Sequence, residues 1–268
     1  MNSIVATYKK NRSTFKRAYP WTFTLGRIIN GIFTIAFPFF IYTYFSQKNL
    51  NNSFTQYTQS NDYMTYITLG AAIQILGVSS MLHVGRSLII ELWEGTLAIF
   101  LLTPASRIGY LVGCLLENVT RVLIQFIIIL VCGYLLGANL SGLFTLQSLF
   151  TIVFTIIVFF SMGLMLSSII LLTRDTYITQ NTINILMAML CGVAFPIEYL
   201  PAWVQPLSHL FPLTSTLELF RSVVLLKQDM FANIHVIYEA LLLSISYIII
   251  GALLLRKLEK KLTESIFY

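Results

Sequence analysis

The sequence predicts an all-α membrane protein: six transmembrane helices, one amphipathic helix on the cytoplasmic surface, and two short re-entrant helices before the last span. Three observations lead there. Of the 268 residues, 57% are hydrophobic and only 10% are charged, whereas soluble domains carry about 25% charged residues. The apolar residues gather into six long runs, each near the roughly 20 residues that a helix needs to cross a hydrocarbon core. The runs are too long for barrel strands and do not alternate polar with apolar residues. In hydrocarbon every backbone N–H must be satisfied inside its own segment, so such runs read as helices.

The runs are 25–45, 63–84, 108–136, 148–172, 178–195 and 236–255. The first is longer than the core of a signal peptide, and no small-residue cleavage site follows it, so it reads as a retained span. Ahead of it, residues 1–23 form a basic segment in which Tyr8, Phe15, Tyr19 and Trp21 are interspersed with cations. That segment suits either an interfacial amphipathic helix or a positive flank that fixes orientation. Residues 24–256 read as one membrane domain and 257–268 as a C-terminal tail. No internal repeat or flexible linker divides them.

Orientation follows from the Lys and Arg residues in the connections. With the N-terminus inside, the cytoplasmic side receives Lys9, Lys10, Arg12, Lys16, Arg17, Arg86, Arg107, Arg174, Arg256, Lys257, Lys260 and Lys261. The outer side receives Lys48, Arg221 and Lys227. Both termini are therefore expected in the cytoplasm and the protein in the cell membrane. The net charge of +6 sits beside apolar runs and accompanies no recognition module, which argues against nucleic acid.

Catalytic chemistry has no visible support. No Gly-Lys pair occurs, so a phosphate-binding loop is absent. His83, His209 and His235 lack metal-ligand spacing, and no serine sits in a G-x-S-x-G elbow. The three cysteines, Cys114, Cys132 and Cys191, fall in apolar stretches and form no disulfide framework. Inside the third run, Glu117 and Arg121 lie four residues apart with the acid first, the favourable order for a helical ion pair. Each charge alone would cost about 2.5–3.5 kcal/mol at a span's centre. The spans otherwise hold no series of titratable groups of the kind a proton-driven carrier uses, which favours an external energy source.

Two segments are neither loop nor span. In residues 85–107, GRSLIIELWEGTLAIFLLTPASR, a helical wheel places Ser87, Glu91, Glu94, Gly95 and Ala98 on one arc and large apolar residues around the rest. Thr103-Pro104 ends the helix. An acidic stripe on a basic inner surface suits a docked protein partner better than anionic headgroups. In residues 196–225, four prolines punctuate a strongly apolar stretch. Short helices starting near Pro201 and Pro212 account for both features.

The stretch ELWEGTLAIFLLTPASR resembles the signature of the transmembrane subunits of type-2 ATP-binding-cassette exporters, an acid-rich segment before Gly-Thr-Leu followed by Thr-Pro-x-Ser-Arg. The resemblance implies that residues 86–102 form a coupling helix seated on a nucleotide-binding subunit. Glu91, Trp93, Glu94, Gly95, Thr96 and Leu97 would contact that subunit, and Thr103, Pro104 and Ser106 would close the motif. Leu92-Trp93 stands where polar or basic residues are common in the family. Phe195-Pro196, Leu200-Pro201-Ala202-Trp203, Pro212-Leu213 and Arg221 are similar to the family's re-entrant segment, here 197–226. For Pro196, Pro201, Trp203, Pro212 and Arg221 this implies an extracellular gate roofing the transport path. The resemblance further implies two copies of an ATPase subunit that binds ATP and Mg, a second permease copy or related subunit, and export of an amphiphile such as a lipid-linked glycan, hydrophobic peptide or drug-like compound. This chain would hold no cofactor and no enzymatic site. The competing expectation is a stand-alone channel or secondary transporter.

Overall fold

Asp62 starts the central helix of the protein. Its carboxylate accepts the Thr65 amide N–H at 3.0 Å, an N-cap that satisfies one of the donors a helix start leaves free. From there the longest helix of the bundle's centre runs unbroken over Tyr63–Trp93. In this computed structural model the described residues are 3–18, 21–45, 52–96, 106–173 and 177–267.

In chain order the helices are α1 (Ser3–Ala18), α2 (Trp21–Phe40), α3 (Asn52–Thr58), α4 (Tyr63–Trp93), α5 (Arg107–Leu135), α6 (Leu146–Thr173), α7 (Tyr177–Leu190), α8 (Gln205–Ser208), α9 (Pro212–Val224) and α10 (Ile234–Phe267). Among the described residues there is no β-strand. Helix α2 continues directly into a π-turn at Ile41–Phe45. Pro38, which has no N–H for the carbonyl four residues back, lies just before that widened turn.

Helix α4 packs against α5, α6, α2 and α9, and α10 lies on the far side of α6. Of the most apolar stretch of α4, 83% is buried within the chain, against 22% for α10. Small residues make this central position possible, since helices in a membrane associate through close backbone approach. At Gly77 the absent side chain leaves room for the ring of Phe159 from α6. Leu69, Ile73, Leu76, Phe126, Phe159 and Phe220 form the middle of the core. The outward faces of α5 and α10 remain apolar, with Ile124, Ile127, Leu242 and Leu253 exposed. Such a surface suits lipid rather than water.

Four helices among the described residues are long and apolar enough to cross a bilayer: Tyr63–Leu82, Ile108–Leu135, Leu146–Leu171 and Met230–Lys257. They coincide with the second, third, fourth and sixth runs of the sequence. The first run contains the shorter apolar helix Gly31–Tyr44. The fifth run forms α7, whose 14 residues reach about 21 Å, short of the roughly 30 Å of a hydrocarbon core.

Two expectations about local structure need correction. The surface helix expected over 86–102 is not one separate element, because nothing between Val84 and Trp93 interrupts α4. The break falls at Glu94-Gly95, where Gly95 adopts φ +71°, a left-handed conformation that glycine tolerates without a Cβ clash. Helix resumes at Thr96, and residues 97–105, with Leu97, Thr103 and Pro104, lie outside the described residues. The helix expected near Pro201 is the single turn α8, which carries Pro206 in its first turn and stops before Phe211, held extended ahead of Pro212. The helix expected at Pro212 does begin there, with proline in its first turn and eleven of its 13 residues buried.

Replacing Gly77 with alanine should destabilise the detergent-purified protein by about 1–3 kcal/mol, the usual cost of overpacking. Thermal unfolding checks this, and F159L in the same chain should recover most of the loss.

Candidate functional site

Helix α4 joins two polar clusters, one around Tyr66 near its start and one around Glu91 near its end. They are 25 residues apart on one helix, roughly 37 Å at 1.5 Å per residue.

The Tyr66 cluster exists because α7 stops short. After Leu190 the chain turns at Gly192, where φ is +74°, and Cys191, Gly192 and Val193 are all buried. A helix end leaves carbonyls without intrahelical partners, and buried ones must find partners elsewhere. Arg221 of α9 supplies them. Its Nη1 donates to the Gly192 carbonyl at 2.8 Å, and its Nη2 to the carbonyls of Val193 at 2.8 Å and Tyr66 at 3.0 Å. The Tyr66 hydroxyl also donates to Gly192 O at 3.1 Å, while the guanidinium lies 3.3 Å from the Tyr66 ring centroid. One planar cation thus ties the end of α7 to α4 and α9. Gly70 provides the space, because a Cβ there would lie 2.7 Å from Arg221 Nη2 and would strike the Val193 carbonyl. A cavity of about 300 Å³ opens beside this clamp, lined by Tyr57, Gln59, Glu198, Glu218 and Gln228 among others. Of the other residues expected in a gate, Pro196 is buried before a short 3-10 turn. Pro201 and Trp203 are exposed, Trp203 by 76%, and neither lines the cavity beside Arg221.

At the opposite end, the carboxylate of Glu91 is buried, not presented outward as a wheel of the isolated helix implies. It accepts hydrogen bonds from Lys10 Nζ, from the Thr96 hydroxyl and from the Tyr110 hydroxyl at 3.2 Å. Burial pushes its pKa up, but the hydrogen bonds from Lys10 and Thr96 and the Lys10 charge outweigh that and hold it below the ordinary carboxylate value. Trp93, Glu94 and Gly95 are the exposed residues here, Trp93 by 63%.

Lys10 reaches Glu91 because α1 packs on α5. Gly109 and Gly113, spaced as in close-packed membrane helix pairs, lie under Ser3, Ile4 and Thr7 of α1, and Asn11 Nδ2 donates to Cys114 Sγ at 3.2 Å. Ser106 caps α5, its hydroxyl accepting from Gly109 N–H at 3.1 Å. That position belongs to the Thr-Pro-x-Ser-Arg motif, whose serine therefore has a structural duty. Deeper in α5, Arg121 donates to Glu117, and Asn118 Nδ2 bonds the Ser79 carbonyl of α4 at 2.8 Å. Among the described residues no group of three or more His, Cys, Asp or Glu is placed to hold a metal ion.

The model of the ABC-2 type transporter family matches residues 4–225. The chain belongs to that family. It is a membrane permease subunit of an ABC transporter, a transport component that is not itself catalytic. No curated protein matches the chain. The match takes in α1 through α9, so both clusters lie within the ABC-2 domain.

Sequence reading places Arg221 in a gate but misses Tyr66 and Gly70, whose i, i+4 spacing on α4 marks a shared face. It also misses Lys10, which no local pattern connects to Glu91, whereas the Gly109-x-x-x-Gly113 spacing is legible as a packing motif.

Two outcomes follow from this geometry. R221K keeps the charge but not the planar fork, and G70A closes its space. Each should lower stability by about 2–4 kcal/mol, given about 1.5–3 kcal/mol per charged hydrogen bond, read as earlier thermal unfolding. Because the Glu91 pKa is depressed, its contribution is full above the ordinary carboxylate value and is lost as pH falls through the lowered one. A spin label at Ser13 should therefore stay immobile near neutrality and gain mobility only in acid below the ordinary carboxylate range.

Proposed function

We propose that this ABC-2 permease is the membrane-embedded half of an ATP-driven exporter. A separate ATPase subunit, present in two copies and binding ATP and Mg, docks at the turn that ends α4. The observation that carries this reading is the exposure of Trp93, Glu94 and Gly95 at the tip of the bundle's most buried helix. A movement imposed on that tip passes along one unbroken helix to the Arg221 clamp. A rod of this kind is what a machine needs when its motor and its gate lie at opposite ends.

In this reading the Glu91 end is cytoplasmic, as the distribution of Lys and Arg favours, and both termini lie on the cytoplasmic side of the cell membrane. The π-extended α2 and the short α7 complete six membrane segments. Helices α8 and α9 re-enter from the outer side, and burial of α9 against α4, α6 and α10 supports that placement. Trp93, Glu94, Gly95, Thr96 and Leu97 face the ATPase, with Thr103 and Pro104 closing the segment. Glu91 supports the docking surface from beneath. A second copy or a related subunit completes the path for an amphiphile, a molecule with one polar end and one apolar end, leaving the cytoplasm. Lipid-linked glycans, hydrophobic peptides and drug-like compounds share that chemistry.

Affinity purification of the wild-type chain from its own cells should bring down a cassette ATPase. E94K combined with W93A should cut that recovery at least about tenfold, since interface aromatics dominate binding energy. Equal recovery with both substitutions would move the docking site elsewhere.

A further inference from the structure

We propose that Lys10 is a positioning residue for energy transfer: through Glu91 it holds the Trp93–Gly95 turn in the attitude that the ATPase subunit engages. Helix α1 is then a working part of the transmission. This rests on the ATPase-docking reading above and adds to it a role for the N-terminal helix.

The argument begins with what steadies the tip of α4. Beyond Leu82 the helix extends past its membrane-crossing stretch by eleven residues to Trp93, and a protruding end needs lateral support to transmit force. Glu91 gives it that support in three directions. Thr96 binds it from beyond the turn, Tyr110 from the start of α5, and Lys10 from α1. Thr96 and Tyr110 follow Glu91 closely in the chain, whereas Lys10 comes from a helix 81 residues away in sequence.

Helix α1 is itself anchored. Ser3, Ile4 and Thr7 sit over Gly109 and Gly113, and Asn11 bonds Cys114. The anchor is therefore the first two turns of α5, next to the Ser106 cap. The tip of α4, helix α1 and the start of α5 form a closed triangle of contacts. A flank that only fixed orientation would need its cations to face headgroups, and it would have no use for small polar residues directed at α5. Lys9 and Arg12 are exposed, with Arg12 bonded to Tyr8 of the same helix. Lys10 bridges to a buried carboxylate while half of its own side chain stays exposed.

The test uses the full chain, co-purified with the ATPase that accompanies the wild type and reconstituted in liposomes. Two quantities are read: the amount of ATPase bound, and the stimulation of ATP hydrolysis by the membrane subunit. K10M should bind normal amounts of ATPase but lose stimulation about tenfold, as expected when a working group is held slightly out of place. K10R and the neighbouring K9M should both behave as wild type. K10E should fail like K10M, and K10E combined with E91K should regain much of the stimulation. Full stimulation in K10M overturns the proposal, as does a charge swap no better than K10E while ATPase binding is intact. If K10M does not fold, the comparison of K10R with the charge swap decides in the same way. A wild-type chain that retains no ATPase overturns the docking reading, and this inference with it.

Discussion

A buried carbonyl that has lost its helical partner must be given another, and the Tyr66 end of this protein is arranged around that requirement. Helix α7 ends after 14 residues, and the carbonyls of Gly192 and Val193 stay buried beyond it. Arg221 answers both and adds the Tyr66 carbonyl. The guanidinium suits this position because its donors are fixed in one plane, so three acceptors from two segments meet in one geometry. The presence of Arg221 then dictates its surroundings. Tyr66 offers a ring face, Gly70 gives up its side chain, and α9 is held alongside α4.

The two ends of α4 solve related problems with related means. At each, a glycine with positive φ breaks the chain, Gly192 after α7 and Gly95 after α4. At each, a cation from a distant segment stabilises the break, Arg221 in one case and Lys10 in the other. The difference lies in exposure. Arg221 bonds backbone carbonyls and organises a packed interior, whereas Lys10 bonds a side chain next to an exposed turn. One end is a packed joint, and the other leaves the Trp93–Gly95 turn exposed. Between them α4 has no proline, and its small residues let α5, α6 and α9 pack closely along its length.

Much of this was legible in the sequence wherever the determining residues are neighbours. Apolar run length located the four long helices, Pro212 marked the start of α9, and the four-residue spacing of Glu117 and Arg121 anticipated their contact. Local reading failed where the partner is remote. A helical wheel set Glu91 and Glu94 on one arc and treated them alike. Only the fold separates them, burying Glu91 beneath α1, whose Lys10 is 81 residues away in sequence. For the same reason Arg221 counted as an outer-side cation, with no hint that it completes a helix end 28 residues earlier. The shortness of α7 was hidden because the apolar run continues through Phe195 while the helix does not. Hydropathy does not register a change of backbone direction at glycine.

The central claim is that α4 acts as one rigid body between the Arg221 clamp and the exposed Trp93–Gly95 turn. Pulsed electron paramagnetic resonance on labels at the exposed Asn61 and the half-buried Ile90 measures that body directly, over roughly 40–45 Å at 1.5 Å per residue. A single narrow distance distribution, unchanged between the nucleotide-free and ATP-trapped complexes, is the predicted result. A second population, or a shift of several ångströms on trapping ATP, would show that α4 bends or breaks and would contradict the account.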